Sequence, residues 1–428
     1  MASSEHRRND PKSSAGFTRR QFLPLLGATT ALAAIAPRIL ARGSDDEQED
    51  EGRRSEAPAR FVYVGTYTAP GTPPGGTHPS TALGIYVFRL NPSDGGLTLL
   101  QVVTDGPASN PSFLALHPTL PRLYSVNEDG PGRVSSYALN PSNGMLTFIN
   151  TMPAGGDFTT HISVHPSGQF VFAANYGQLT APGNFPAFRI NADGSIGAMT
   201  DLFQGTGYGV NAGPIPERQE TLHAHQIVTD RSAAHVCAVD LGADKVNVLD
   251  LNLVTGKFTP ATVPFALLAS GSGPRHMAFH PDKLHAYVLD ELVSSITVFK
   301  YDAVRGAFVW LQTIPTLPPD FSGTNTTAEI RVHPSGRFLY NTNRGHNSVT
   351  MYAIDEDTAE LDVIGWESSR GEWPRGMNID PSGTFLYVGN QNTDTIAVFR
   401  IKPSNGKLKF STLVNTPTPV DIEFGPLA

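Results

Sequence analysis

His223-Ala224-His225 places two imidazoles on alternate residues of a short apolar segment. Alternate residues of an extended strand point the same way. Two chemistries are open to such a pair. Both rings can ligate one metal ion, or one ring can move a proton, because its ordinary pKa lies near neutrality. The chain has one cysteine, Cys237, and no third ligand at a fixed spacing from the pair. No metal and no cofactor are therefore expected. One histidine is expected to be structural and the other a general base. Three arginines, Arg275, Arg344 and Arg375, stand at the ends of short apolar runs. If they converge, they repel one another unless acids or an anionic ligand compensate. Glu128, Asp240, Glu291 and Glu329 would make a purely structural ion-pair network. The functional alternative is a seat for a carboxylate or phosphate, which guanidinium groups bind in paired fashion.

These residues need elements to hold them. From Phe61 onward no long helical period appears. Short apolar or alternating runs recur between Gly, Pro, Asn and Asp. They align on a repeat in which an apolar strand ends in His-Pro, a polar turn follows, and a second strand returns. The first strands are Ser112–His117, His161–His165, His225–Thr229, His276–His280, Glu329–His333, Met377–Asp380 and Val420–Phe424. Six second strands follow them, and the seventh lies at the other end, as Phe61–Val64. The reading is an all-β, seven-bladed β-propeller with four antiparallel strands per blade. Its last blade is closed by N-terminal strands and the C-terminal strand, which removes open edges.

This architecture sorts side chains. Residues just before first strands and just after second strands share one face near the axis. That face collects Asn110, Thr160, His223, His225, Arg275, His276, Glu329 and Arg375 from one set. It collects Tyr67, Glu128, Asn175, Tyr176, Asp240, Glu291, Arg344 and Gln391 from the other. The long connections Thr68–Leu83, Gly177–Pro186, Phe203–Leu222 and Pro315–Ala328 fall there too, and binding commonly resides on such loops. The His-Pro histidines are repeated blade by blade on the opposite face, so they read as structural. No serine-nucleophile elbow is evident.

Composition sets bounds. Of 428 residues, the first 42 hold seven basic and two acidic side chains; the net charge of −8 thus leaves −13 for the rest. So acidic a remainder argues against nucleic acid as a partner. Thr18-Arg19-Arg20-Gln21-Phe22-Leu23, followed by an apolar run from Leu25 to Ala36, reads as a twin-arginine-type signal peptide over residues 1–42. The run is short for a membrane span, so no stable span is expected after processing, and the protein is expected to be periplasmic or secreted. Residues 43–58 read as an acidic disordered spacer, and 59–428 as one propeller domain, expected to be monomeric.

Gly273-Pro274-Arg275-His276-Met277-Ala278-Phe279-His280-Pro281 and Val288-Leu289-Asp290-Glu291-Leu292 resemble the bacterial propeller-type 6-phosphogluconolactonase family. So do His223-Ala224-His225-Gln226, His333-Pro334-Ser335-Gly336-Arg337-Phe338, Asn343-Arg344-Gly345-His346 and Gly389-Asn390-Gln391. The resemblance spans essentially the whole chain after Phe61, and fungal carboxy-muconate cyclases are related. It implies a lactonase acting on a small-molecule lactone, with His225 or His223, Arg275, Glu291 and Arg344 at the site. The expected mechanism has His225, with or without Glu291, activating water. Arg275 would stabilise the carbonyl oxygen, Arg344 would hold a substrate group, and His223 or His276 would orient the base. His276, Arg375, Asn175, Tyr176, Gln391 and Glu329 are expected to complete the substrate mouth. The fit is weakest at Asn175-Tyr176-Gly177, where a longer turn over Gln178–Pro186 is expected, and Phe203–Glu220 is expected to act as a lid. The competing readings are cyclase chemistry on the same residues and a non-catalytic binding propeller, which would not require them together.

Overall fold

The computed structural model describes residues 61–68, 70–205 and 213–425. The leader (1–42) and spacer (43–58) lie outside the described residues. Every regular element among the described residues is a strand, and the strands form seven four-stranded antiparallel sheets. None of the described residues forms a helix long and apolar enough to cross a membrane.

Blades 1 to 6 span residues 114–153, 159–203, 224–267, 274–315, 326–368 and 374–415. Blade 7 is composite, with Pro419–Phe424 paired to Phe61–Thr66, followed by Ile85–Leu90 and Leu97–Val103. The expected closure is thus present. One expectation is corrected. Gly177–Pro186 is no open loop, because strands Phe170–Gln178 and Ala181–Ile190 of blade 2 continue pairing up to a tight turn.

The core lies between blades rather than on the axis. Seven apolar clusters each join one blade to the next, as Tyr340 and Met351 of blade 5 pack with Val388 and Phe399 of blade 6. Second strands are sandwiched on both faces and read as continuous apolar runs; Phe385–Asn390 is buried throughout. Outer strands meet solvent and carry exposed residues, as in Leu408–Asn415.

Two repeated polar clamps fix blade to blade. Buried tyrosines of second strands donate to a turn carbonyl of the following blade: Tyr63 to Gly144, Tyr124 to Gly194, Tyr287 to Ala359, Tyr340 to Gly406 and Tyr387 to Gly95, at 2.8–3.1 Å. The His-Pro histidines form the second clamp. His117, His280 and His333 each place Nε2 2.8–3.0 Å from the carbonyl of Gly168, Gly336 or Gly383 in the next blade's turn. Those glycines adopt φ of 69–75°, a region that disfavours other residues. A Cβ there would meet the clamping imidazole at 2.7–2.8 Å.

Candidate active site

The mouth of the axial channel forms where each inner strand starts, and a β-bulge shapes it. In blade 3, Ala224 pairs with Asp240 and Gln226 with Val239, which leaves His225 as the extra residue. The same irregularity isolates Thr160 in blade 2, Arg275 in blade 4 and Arg375 in blade 6. A bulge re-aims the side chain it carries. Here it turns His225 and Arg375 into a cavity of about 410 Å³, which Tyr176, Glu291 and Arg344 also line.

The bulge overturns the expected parallel aim of His223 and His225. The His223 ring stacks on Tyr176 at 4.1 Å, with Nδ1 3.1 Å from the Tyr176 carbonyl and Nε2 3.1 Å from Glu220. His225 meets the edge of the same tyrosine, with centroids 5.8 Å apart. Tyr176 thus lies against both rings, and they do not converge on one metal position. The His225 ring has no hydrogen-bond partner among the described residues, and its Nδ1 is fully enclosed. Its pKa is held well below the usual value by burial, then by the charges of Arg275 and His276, while Glu291 opposes. The ring is neutral at neutral pH and able to accept a proton.

Glu291 is the hub of the arginines. Its Oε1 lies 2.5 Å from Arg218, and its Oε2 lies 3.0 Å from Arg344 and 3.1 Å from Arg275. Burial works to raise its pKa, but Arg344, Arg218 and Arg275 outweigh that and hold it well below the carboxylate range. A carboxylate so committed is a poor proton acceptor; it serves instead to gather the cations. Arg275 lies one layer back, buried, and donates to the Ala328 carbonyl. The guanidiniums that line the cavity are Arg218, Arg344 and Arg375. Arg344 donates to the Thr327 carbonyl at 2.6 Å and lies over Trp373, 5.6 Å from the ring centroid. Burial foremost lowers its pKa. Arg375 lies over Tyr67, and its contact to Glu128 is long, at 3.8 Å. Glu128 is already occupied by the hydroxyls of Ser112 and Tyr67, at 2.6 and 2.8 Å. Arg375 is thus the lining arginine with the loosest carboxylate partner.

The remaining expected residues support the wall. His276 faces Glu329 at 3.1 Å, and Glu329 also binds Arg331 at 2.6 Å. Burial, then Arg275 and Arg331, hold the His276 pKa well down. Gln391 donates to the Pro74 carbonyl at 3.0 Å and so anchors a lining loop. Asn175 is buried and spent on Thr159, Ala154 and Asn184. Asp240 accepts from the His223 backbone amide, and burial raises its pKa to about 7. Neither Asn175 nor Asp240 lines the cavity.

Sequence reasoning missed Arg218 and Trp373. Arg218 comes from the long connection between blades 2 and 3, whose length was its only signal. Trp373 holds φ 60° just before the inner strand of blade 6, with its ring packed on Gly75. Its place next to Arg375 in the repeat was the available clue.

Comparisons with known proteins agree with this picture. The family described as lactonase, 7-bladed beta-propeller, matches residues 61–424. A 6-phosphogluconolactonase of Bacillus subtilis (strain 168) is 32% identical over 366 residues, covering 85% of this chain and 97% of that protein. A 6-phosphogluconolactonase of Serratia proteamaculans (strain 568) is 32% identical over 333 residues, covering 78% and 92%. The structure of a Pseudomonas aeruginosa periplasmic gluconolactonase superposes with a TM-score of 0.78 at 30% identity, covering 86% of this chain and 99% of that one. The chain therefore belongs to the lactonase, 7-bladed beta-propeller family, and it is a lactonase.

Proposed function

We propose that the protein hydrolyses a sugar lactone of the gluconolactone type, with His225 as the base that activates water. The observation that carries this is an unpartnered, neutral imidazole turned by a bulge into a cavity whose cations are gathered by Glu291. Water adds to the lactone carbonyl as His225 takes its proton. The oxyanion that forms is met by Arg375 or Arg344, already ordered before reaction. The ring C–O bond then breaks, and His225 returns the proton to the leaving alkoxide, giving the hydroxy acid. Glu291 favours the transient imidazolium through its charge rather than by taking a proton. Trp373 and Tyr176 offer ring faces to the apolar side of a sugar.

Three arginines and two glutamates line the cavity. This single surplus positive charge suits a neutral lactone that becomes a monoanion better than a dianionic phosphate ester. The twin-arginine-type leader over residues 1–42 fits the same substrate, because phosphorylated sugars are cytoplasmic. We place the mature enzyme outside the cytoplasm, acting as a monomer; Arg19→Lys with Arg20→Lys should retain it inside. The test of activity is pH-stat hydrolysis of gluconolactone, 6-phosphogluconolactone and a muconate-type lactone, each corrected for its spontaneous rate. The proposal expects the unphosphorylated sugar lactone to be preferred and His225→Asn to lose that activity. Full activity in His225→Asn removes the histidine from the mechanism, and turnover of the muconate lactone alone reassigns the enzyme to the cyclases.

A further inference from the structure

We propose that the turn between the inner and second strands of blade 4 is a binding site for a divalent transition-metal ion of the zinc type. The ligands are His280 Nδ1, Asp282 Oδ2 and His285 Nδ1. The three residues bring one ligand atom each within 4.8 Å of the others, and Asp282 Oδ2 lies 3.0 Å from His280 Nδ1 and 2.7 Å from His285 Nδ1.

The other blades show what is unusual. Wherever a His-Pro histidine clamps the next turn through Nε2, that nitrogen carries the hydrogen and Nδ1 is left with a lone pair. In blade 5 a serine two residues on meets that lone pair, with Ser335 2.8 Å from His333 Nδ1, and in blade 2 Ser167 stands likewise 2.9 Å from His165 Nδ1. A hydroxyl brings its own proton to the contact. In blade 4 the equivalent residue is Asp282, and an ionised carboxylate brings none. His280 donates from Nε2 to the Gly336 carbonyl at 2.8 Å, so in the neutral ring Nδ1 and Asp282 Oδ2, 3.0 Å apart, face each other as two acceptors. The Asp282 backbone amide donates to Nδ1 at 3.2 Å, as the Ser167 and Ser335 amides do at 3.1 Å, and a metal ion on Nδ1 displaces this bond. Either a proton on Nδ1 or a metal cation shared by the two atoms resolves the conflict, and His285 supplies the third ligand that favours the metal.

Five residues after the His-Pro histidine, blades 1, 2 and 5 carry Arg122, Phe170 and Phe338, whereas blade 4 carries His285. Blade 3 has His235 at the matching position, but with Asp230 and Ser232 where blade 4 has His280 and Asp282, and its Nδ1 lies 2.7 Å from Asp250. Among these blades, blade 4 alone joins two histidines and an aspartate in the turn. The clamp to Gly336 also supplies what metal-bound histidines ordinarily have, a backbone carbonyl fixing the ring and its tautomer. On binding, His285 moves its proton from Nδ1 to Nε2, so no net charge is lost. Tetrahedral bonds of about 2.0–2.2 Å set ligand atoms about 3.3–3.6 Å apart, so Asp282 Oδ2 must move about 0.3–0.6 Å from His280 Nδ1 and about 0.6–0.9 Å from His285 Nδ1, within reach of side-chain rotation in an exposed turn. The nitrogen–nitrogen–oxygen set suits zinc, nickel or copper better than calcium or magnesium. Exposed Lys283 in the turn and Lys300 across the ladder from His285 oppose a cation, so micromolar rather than tighter affinity is expected.

This site lies at the far end of the strand His285–Asp290 from Glu291, about 17–20 Å away for a strand of six residues. It is therefore separate from the hydrolytic cavity. The test is calorimetric titration of the tag-free full chain with zinc chloride, with cobalt(II) absorption as a second readout. One zinc per chain is expected, together with a higher melting temperature. Asp282→Asn and His285→Gln should each weaken binding by roughly tenfold or more, since even outer partners of a metal cost that much, while leaving lactone hydrolysis unchanged. Absence of binding up to millimolar zinc overturns the proposal, as does binding that survives both substitutions.

Discussion

Replacing Glu291 by glutamine tests whether this carboxylate organises the cavity. The substitution keeps the shape and removes the charge. Two of its three guanidinium partners, on Arg275 and Arg344, have side chains only 4% and 6% exposed, and they would be left as like charges without a shared anion. The third, Arg218, is 36% exposed, so water replaces most of what it loses. Breaking a buried pair by removing one partner costs about 3–5 kcal/mol. That is roughly a hundredfold or more in the unfolding constant, at about 1.4 kcal/mol per decade. The cost depends on pH with a definite sign. The folded pKa lies well below the unfolded value of about 4.3. The stabilisation is therefore complete above that value and is lost as pH falls through the folded pKa. Urea unfolding followed by tryptophan fluorescence should show the full deficit at pH 7 and a narrowing one below about pH 4.3. A deficit under about 1 kcal/mol, or one constant with pH, would refute the assignment of Glu291 as the ionised hub.

His225→Asn should lower kcat by roughly 10²–10⁴, the usual worth of a general base. In the unaltered enzyme the acid limb of kcat/KM should lie below pH 6.5, because burial, then Arg275 and His276, disfavour the imidazolium; a limb at or above 6.5 points to another base. Trp373→Ala should raise KM for sugar lactones more than it lowers kcat, and an unchanged KM removes the indole from the binding surface. Tyr340→Phe removes the buried hydroxyl that donates to Gly406 at 2.8 Å. It should cost about 0.5–1.5 kcal/mol in urea unfolding with hydrolysis intact, and equal stability would mean this clamp carries nothing.

The blades were legible because each must bury the same faces against its neighbours. The runs Leu123–Val126, Phe338–Asn341 and Phe385–Val388 repeat one another for that reason, and closure by Val420–Phe424 followed from counting seven first strands against six second ones. The histidine clamps were legible as structural from repetition alone. Their partners were not, because a contact between a histidine and a glycine some fifty residues later leaves no local period. Gly177–Pro186 was misjudged for a different reason. Its Pro and Gly residues suggest a loop, yet pairing with Asn175–Gln178 holds the segment as a strand despite them.

For the site, alignment of the blades located the right residues but not their aim. Thr160, His225, Arg275 and Arg375 share one position in the repeat, just before the inner strand. Simple alternation then predicts that His223 and His225 point together and that Arg275 is as accessible as Arg375. The bulge breaks the alternation at that very position, separating the two histidines across Tyr176. It works differently in blades 4 and 6, because Arg275 is drawn inward by Glu291 and the Ala328 carbonyl, whereas Arg375 has only a long contact to Glu128. One backbone irregularity, repeated around the axis, thus turns residues of a single repeat position into different parts: a proton acceptor in blade 3, a buried prop in blade 4 and a loosely paired cation in blade 6. The division of labour resides in the partners each side chain finds, which no single repeat contains.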